Sequence, residues 1–178
     1  EAGMPGMHAI HPFSTIITAL MQTGGVLETG SLRSIQLIRN GQTLAMLDFY
    51  QYILNGNTDN DLGLLDGDII FIPVRHSTVA LEGQIVREAI YELNADETIE
   101  DIIQFAGGFT VKAQKDIRIN RVYKMQEHTE YSPYNETMII NFKTQNDFVL
   151  QDGDDILVYE FSPSQNKIFI YEVLFKQK

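Results

Sequence analysis

The first group of residues that could do chemistry is a set of oxygen-bearing side chains of the kind that bind Ca²⁺: Asn57, Asp59, Asp61, Asp66 and Asp68. Their spacing fits a calcium loop poorly. Gly63 comes one residue late for the turn of an EF-hand, and no glutamate closes the loop. The sequence Asp66-Gly67-Asp68 is instead typical of a tight turn, in which the glycine takes backbone angles that other residues avoid. We therefore predict turns here and no metal.

A second group combines aromatic and planar polar side chains, which together recognise carbohydrate. The chain contains 8 tyrosines, and several stand close in sequence to arginines. On this basis we predict as ligand-binding residues Arg87, Tyr91, Arg118, Arg121 and Tyr123. The alternative is that tyrosines at alternate positions of a strand pack as half-buried residues of a sheet, and the composition of strands favours that plainer interpretation.

The sequence contains no motif that indicates a catalytic site. The 4 histidines are scattered, and there is no cysteine for a thiolate, a disulfide or a cysteine-based zinc site. No G-x-S-x-G elbow or other activated nucleophile is present. We therefore predict that the protein is not an enzyme and that it uses no cofactor.

The charge and hydropathy patterns exclude further classes. The formal net charge of -11 repels phosphate backbones and anionic lipid surfaces, which excludes nucleic acid as an expected partner. No run approaches the roughly 18 apolar residues that cross a bilayer. Hydrophobic residues make up 44% of the 178 positions, which is enough for a folded core.

An internal repeat organises the chain, because residues 5–25 match residues 88–108 in type without a gap. Each copy contains Thr-Ile at the start of an amphipathic pattern and Gly-Gly at its end. These patterns predict helices over Ser14–Thr23 and Thr98–Ala106. Ser14 or Thr15 would cap the first helix and Thr98 the second, and the paired glycines would end both.

The strands follow the same repeat. Asn40-Gly41 between two β-rich runs predicts a hairpin of Ser34–Arg39 with Gln42–Asp48. The second copy has a first strand at Val79–Ile85, and its hairpin strands, Asp116–Tyr123 and Thr137–Phe142, are separated by an insertion, Lys124–Glu136. The predicted fold class is α+β, with two tandem β-grasp modules that each have one main helix on a face of a mixed sheet.

Two stretches of the sequence resemble a known family. Residues 47–56 are followed by Leu65-Asp66-Gly67-Asp68-Ile69-Ile70-Phe71-Ile72-Pro73, and residues 83–108 begin a second such pattern. Together they resemble the SLBB (soluble ligand-binding β-grasp) modules of outer-membrane polysaccharide export proteins of the Wza type. The predicted domains are an SLBB-like module over residues 1–76, a second over residues 77–161, and a strand-like tail over residues 162–178.

The resemblance implies a function. The chain would be a non-catalytic, periplasmic segment of an outer-membrane-associated polysaccharide export protein, and it would contribute to ring assembly and contact with polysaccharide. Its partners would be like subunits, other export proteins of the envelope, and the polysaccharide. Because SLBB modules also occur in unrelated proteins, the alternative is a stand-alone module that binds a small soluble ligand, a sugar or a cofactor.

Two more expectations concern the edges of the modules. The repeat leaves no room in module one for the counterpart of the strand at Val79–Ile85, so we expect the chain to be part of a longer protein. The edge left open would be exposed or filled by another chain or by the tail Lys167–Leu174. The insertion would serve intermolecular contact through His128, Tyr131 and Tyr134, against the alternative of a surface loop without a partner.

Overall fold

The chain divides into two compact units. The computed structural model describes residues 1–123 and 134–161, and the division falls between Thr78 and Val79. Unit 1 is residues 1–78, and unit 2 begins at Val79. The repeat in the sequence placed this boundary slightly earlier, at Pro73–Ser77. The predicted tail lies outside the described residues, as does most of the predicted insertion.

Unit 1 has two short helices and three strands: α1 (Ile16–Gln22), β1 (Ile35–Arg39), β2 (Gln42–Leu47), α2 (Phe49–Asn55) and β3 (Ile69–Phe71). The sheet order is β2-β1-β3, and both pairings are antiparallel. The prediction of a mixed sheet is therefore wrong for this unit. The reason is that residues 1–78 contain no strand that runs parallel to β3.

The predicted hairpin of unit 1 is confirmed. Asn40 and Gly41 both have positive φ, at 51° and 75°, as the two central residues of a type I′ turn require. Such a turn matches the twist of the strands that it joins, so β1 and β2 pair directly. The inward side chains of β1, Ile35 and Leu37, are buried in a core shared with α1.

Helix α1 begins where the capping pattern predicted, with Thr15 as its N-cap. The Thr15 hydroxyl accepts from the Thr18 N–H at 3.4 Å, and the Thr18 hydroxyl accepts from the Thr15 N–H at 2.6 Å. This reciprocal arrangement satisfies two backbone donors that a helix start leaves free. Gly24 and Gly25, both at positive φ, follow the helix and reverse the chain.

Helix α2 was not predicted from the sequence, although its end residues carry the usual features. Asp48 is the N-cap and accepts from the Tyr50 N–H at 2.9 Å, and Gly56 ends the helix in the left-handed conformation with φ of 63°. Its apolar residues form a partial stripe, and Phe49 and Tyr52 pack against the core. The segment is too short for this pattern to be recognised in the sequence.

Unit 2 contains one helix and five described strands: β4 (Thr78–Gly83), β5 (Ala89–Glu92), α3 (Ile99–Phe105), β6 (Ala113–Val122), β7 (Asn135–Asn141) and β8 (Asp155–Glu160). The sheet order is β5-β4-β8-β6-β7. Strand β8 runs parallel to β4 and antiparallel to β6. This sheet is mixed, as predicted.

Helix α3 repeats the design of α1. The Thr98 hydroxyl accepts from the Asp101 N–H, and the Asp101 carboxylate accepts from the Thr98 N–H at 2.8 Å. The stripe of Ile99, Ile102 and Ile103 is buried. The two predicted helices are therefore confirmed, each one or two residues shorter at its ends than predicted.

The second hairpin is longer than predicted. The antiparallel ladder of β6 and β7 continues to the pair Val122 and Asn135, so β7 starts two residues before the predicted Thr137. Asn135 and Glu136 are strand residues and do not belong to the insertion. Each additional pair of this ladder adds backbone hydrogen bonds between β6 and β7.

Truncation of the buried Ile103 to alanine should lower the free energy of unfolding by about 2 to 5 kcal/mol, since apolar contacts are lost and a cavity remains. Urea unfolding followed by circular dichroism measures the change. Gln104→Ala removes an exposed side chain of the same helix and is the matched control. Equal small effects in both variants would contradict the placement of Ile103 in the core.

Candidate functional site

The same ion pair occurs in both units. It joins an arginine near the end of the first hairpin strand, β1 or β6, to the second aspartate of the Asp-Gly-Asp turn. Arg39 Nε and Nη2 donate to Asp68 at 2.8 and 2.7 Å, and Arg121 donates to Asp154 with the same two distances. Both pairs are bidentate, which is the strongest geometry for a guanidinium and a carboxylate. We call these two pairs the Arg–Asp clamps.

Each clamp also holds the turn that precedes the last strand. Asp68 accepts from the Leu65 N–H, and Asp154 accepts from the Gln151 N–H, both at 2.8 Å. The hydrogen bond that Arg39 donates lowers the pKa of Asp68, and the hydrogen bond that Asp154 accepts from Arg121 raises the pKa of Arg121. The predicted turns are confirmed, with Gly67 at positive φ in the first of them. No group of three metal-ligating side chains occurs in residues 1–123 and 134–161.

Two of the predicted ligand-binding residues contact each other through the backbone. The Tyr91 hydroxyl donates to the Arg87 carbonyl at 2.7 Å, and Arg87 Nη2 donates to the Phe105 carbonyl at 2.7 Å. Tyr91 is buried on β5, and this burial raises the pKa of its hydroxyl. The Tyr91 ring therefore packs within unit 2, as the plainer interpretation of the tyrosines expected.

The other three predicted ligand-binding residues do not form one group. Side chains alternate between the faces of a sheet, so Arg118 and Arg121 of β6 point to opposite sides. Arg121 belongs to a clamp. The Tyr123 hydroxyl donates to Glu136 at 2.5 Å, and both residues contribute to the electrostatic environment of Arg121. Arg118 alone faces away from the helix side of the sheet, opposite the buried Ile117 and Ile119.

Arg118 lies at the centre of a polar surface of the sheet. Across the ladder it stands opposite Ile139 of β7 and Leu157 of β8. Residues on the same face of neighbouring rows complete the surface. We call this surface the Arg118 face and define it by Asp116, Arg118, Asn120, Thr137, Ile139, Asn141, Asp155 and Leu157.

The side chains around Arg118 are already hydrogen-bonded to each other. Thr137 Oγ1 donates to Asn120 Oδ1 at 3.2 Å, and Asn141 Nδ2 donates to Asp116 Oδ1 at 2.8 Å. Arg118 Nε is buried and has no hydrogen-bond acceptor within the described part of the chain. A buried donor without an acceptor is costly, and a ligand acceptor reaches this nitrogen only when the Arg118 side chain moves outward.

The predicted contact residues of the insertion are only partly described. His128 and Tyr131 lie outside the described residues. Tyr134 is exposed just before β7, and its carbonyl accepts from the Tyr123 N–H at 3.1 Å. A role for these three residues in an interface stays a prediction.

Most residues of the Arg118 face lie in a stretch that matches a known family. Residues 78–139 match the family model of the SLBB domain. The match extends from the start of β4 into β7 and includes every predicted ligand-binding residue. The resemblance inferred from the sequence is thus confirmed for this part of the chain. No curated protein matches the chain.

An SLBB domain is a binding domain and not a catalytic one. Among the described residues, no helix has the length and apolar character needed to cross a membrane. The sequence analysis named Arg118 as a candidate ligand-binding residue but did not name its neighbours on the face. The alternation of Asp116, Arg118 and Asn120 with buried isoleucines on β6 is the pattern that could have identified them.

Removal of the arginine of a clamp should leave a buried carboxylate without a compensating charge. Asp154 is fully buried and Arg121 nearly so, and Arg121→Met should destabilise the protein by about 3 to 5 kcal/mol. The double variant Arg121→Met with Asp154→Leu should recover much of this loss because neither charge remains. Chemical unfolding of both variants measures the coupling. An equally unstable double variant would show that the clamp contributes more than charge compensation.

The clamp of unit 1 should make the free energy of unfolding depend on pH in the acidic range. The pKa of Asp68 is lowered from its usual 3.8. Its contribution is therefore complete above that value and is lost as the pH falls through the lowered native pKa. Urea unfolding between about pH 2 and pH 6 should show that Asp68→Asn destabilises the protein at the upper end of this range and much less at the lower end. Asp66→Asn, at an exposed position of the same turn, is the control.

Proposed function

We propose that the chain is a non-catalytic, periplasmic segment of a polysaccharide export protein, in which the SLBB domain of unit 2 contacts polysaccharide through the Arg118 face. The observation that carries this proposal is Arg118, which lies within the matched residues, has a donor without an acceptor among the described residues, and stands at the centre of a polar surface. Like subunits and other envelope proteins are the proposed partners in a ring.

The chemistry of the Arg118 face suits sugar rings. Hydroxyl and ring oxygens would satisfy the guanidinium, while Asn120 and Thr137 offer further polar contacts. The exposed Ile139, with 69% of its surface accessible, and the neighbouring Leu157 provide an apolar contact for the C–H faces of a sugar. The ligand is proposed as a hydroxyl-rich polymer and not as a polyanion, because the net charge of -11 opposes anions.

The shape of the face favours a polymer over a small ligand. Small molecules are bound in concave sites that bury most of their surface. The Arg118 face is instead the outer side of a sheet formed by β6, β7 and β8. An extended chain can lie along such a surface and make several weak contacts, which suits a polymer that must pass and not remain bound.

Unit 1 is proposed as a second SLBB-like module, residues 1–76, beside the module of residues 77–161. Its support is the repetition of individual contacts. The bridge of Thr15 with Gly63 in unit 1 corresponds to that of Thr98 with Val149 in unit 2. The two clamps correspond in the same way, down to the bond from the arginine to the backbone carbonyl of residue 63 or 149.

Replacement of Arg118 by methionine should weaken polysaccharide binding by at least about tenfold, since one hydrogen bond from a charged group is lost. Affinity electrophoresis in gels that contain purified neutral exopolysaccharide measures the binding. Lys115→Met, an exposed residue of the same strand, makes the same change of charge and should migrate like the parent protein.

Two results would contradict the proposal. One is that no polysaccharide of a varied panel retards the parent protein. The other is that Lys115→Met weakens binding as much as Arg118→Met, which would indicate a general effect of charge.

A further inference from the structure

The outer face of the sheet in unit 1 is an exposed apolar surface. It lies on the side of the sheet away from the core that contains α1. Ile69, Met46 and Phe71 on this side are 58%, 51% and 47% exposed. The strand register places two rows of three residues there, which we call the Gln36 face: Met46, Gln36 and Phe71 in one row, and Thr43, Ile38 and Ile69 in the other.

No side chain of the Gln36 face carries a charge. The corresponding rows of unit 2 contain Arg118 and Asp155, and their places in unit 1 are taken by Gln36 and Ile69. Sheet faces that meet water are polar as a rule, and 21% of all residues in this chain are charged. Methionine and aromatic residues are enriched at the centre of protein interfaces, and charged residues are depleted there. The Gln36 face therefore has the composition of an interface.

This surface does not depend on what lies beside β3. Neighbouring strands lie in the plane of a sheet. A further strand at β3 would therefore widen the Gln36 face and would not cover it.

The centre of the face carries a group that can pair with its own copy. The Thr43 hydroxyl donates to Gln36 Oε1 at 3.4 Å, and within the described part of the chain this is the one hydrogen bond of the Gln36 side chain. The amide nitrogen of Gln36 thus has two donors to offer. An amide is self-complementary, because its nitrogen donates and its oxygen accepts.

We propose that the Gln36 face packs against the Gln36 face of a second copy of the chain, about a two-fold axis that runs along β1. Sheets that pack face to face keep their strands within about 30° of each other, and this axis maintains that alignment. Each Gln36 then meets Gln36 of the other copy. Met46 meets Phe71 of the other copy, which is a favourable contact of sulfur with an aromatic ring.

A second copy suits this face better than a sugar or a membrane does. Sugar recognition uses several planar polar groups, and among the six residues of the face only Gln36 has one. The net charge of -11 opposes contact with anionic lipid. Two acidic copies also repel each other, but this repulsion is weakest where the surface that they share carries no charge.

The size of the face determines the strength of the association. Three strands about 4.8 Å apart, with about 3.3 Å for each of five residues, span roughly 250 Å² in projection. With their side chains, two such faces bury roughly 1,000 Å² of accessible surface in total, which is at the lower limit of specific interfaces. We therefore expect a dimer that exchanges with monomer, with a dissociation constant above about 1 µM.

The contact goes beyond the proposed function and does not depend on it. It is isologous and closes at two molecules, so it differs from the contacts that would close a ring. It also leaves the Arg118 face of unit 2 unused.

Sedimentation equilibrium of the full chain at concentrations up to about 1 mM tests the proposal. The parent protein should show an equilibrium of monomer and dimer. Met46→Glu should weaken the association at least about tenfold, since a charge would be buried against Phe71 of the other copy. Met21→Glu is the matched control, because Met21 is exposed on α1, on the other side of the sheet, and this variant should associate like the parent.

Two double variants test whether the face meets itself. One carries Met46→Glu and Phe71→Glu, and the other carries Met46→Lys and Phe71→Lys. Each should be monomeric alone because like charges oppose each other, and an equimolar mixture should associate because opposite charges then meet. A face that docks on a different surface of the second copy would give no such recovery.

Cross-linking tests the position of the axis. The chain contains no cysteine, so a single introduced thiol reports one position. Gln36→Cys should be joined into a dimer by a short bismaleimide, because position 36 lies on the proposed axis. Gln22→Cys, at an exposed position of α1, makes the same substitution and should remain monomeric.

Four results would overturn the proposal: a parent protein that stays monomeric at about 1 mM, equal effects of Met46→Glu and Met21→Glu, a mixture of the double variants that does not associate, and equal cross-linking of the two cysteine variants. The first result would assign the face to a different protein. Circular dichroism verifies the fold of each variant. Retention of Met46→Glu by polysaccharide is measured separately and should equal that of the parent, so loss of the dimer and failure of sugar binding are distinguishable.

Discussion

The Arg–Asp clamp is the interaction on which both units depend. Its carboxylate binds the guanidinium of a hairpin strand and, at the same time, a backbone N–H of the turn before the last strand. Two parts of the chain that are distant in sequence are thereby held in register. In unit 2 the aspartate is fully buried, so the unit must supply every hydrogen bond that water would have given. The consequence is that the main role of Arg121 is to stabilise the fold and not to bind a ligand.

The clamp also explains why the Arg118 face can differ from the corresponding surface of unit 1. Arg118 and Arg121 are three residues apart, and the alternation of a strand places them on opposite faces of one sheet. One arginine holds the helix side of the unit together, and the other is left for the outer face. Unit 1 has a clamp at the corresponding position, but Gln36 stands where unit 2 has Arg118, and exposed apolar residues surround it. The two units share a frame and differ in the surface that they offer.

Much of the fold could be predicted because its determinants are local. The Thr15 and Thr98 caps, the Gly-Gly helix ends and the Asn40-Gly41 turn each act within a few residues, and their backbone geometry follows from residue type. Helix α2 was missed because its seven residues give too short an apolar pattern to distinguish it from a strand. The Arg118 face could not be assembled from sequence, since it depends on which residues stand opposite each other across β6, β7 and β8. Register is a non-local property and is set by the whole sheet.

The order of strands in unit 2 has a consequence for how this unit is made. Strand β8 is the last described strand in the chain, yet it lies in the middle of its sheet, between β4 and β6. During synthesis β4 and β5 therefore cannot join the rest of the sheet until Glu160 has left the ribosome, because β8 is the strand that connects them to it. Pairing between the two ends of a unit closes a long loop and is slow. The sheet of unit 2 is consequently completed late, whereas the local β1–β2 hairpin of unit 1 can form as soon as Leu47 is available.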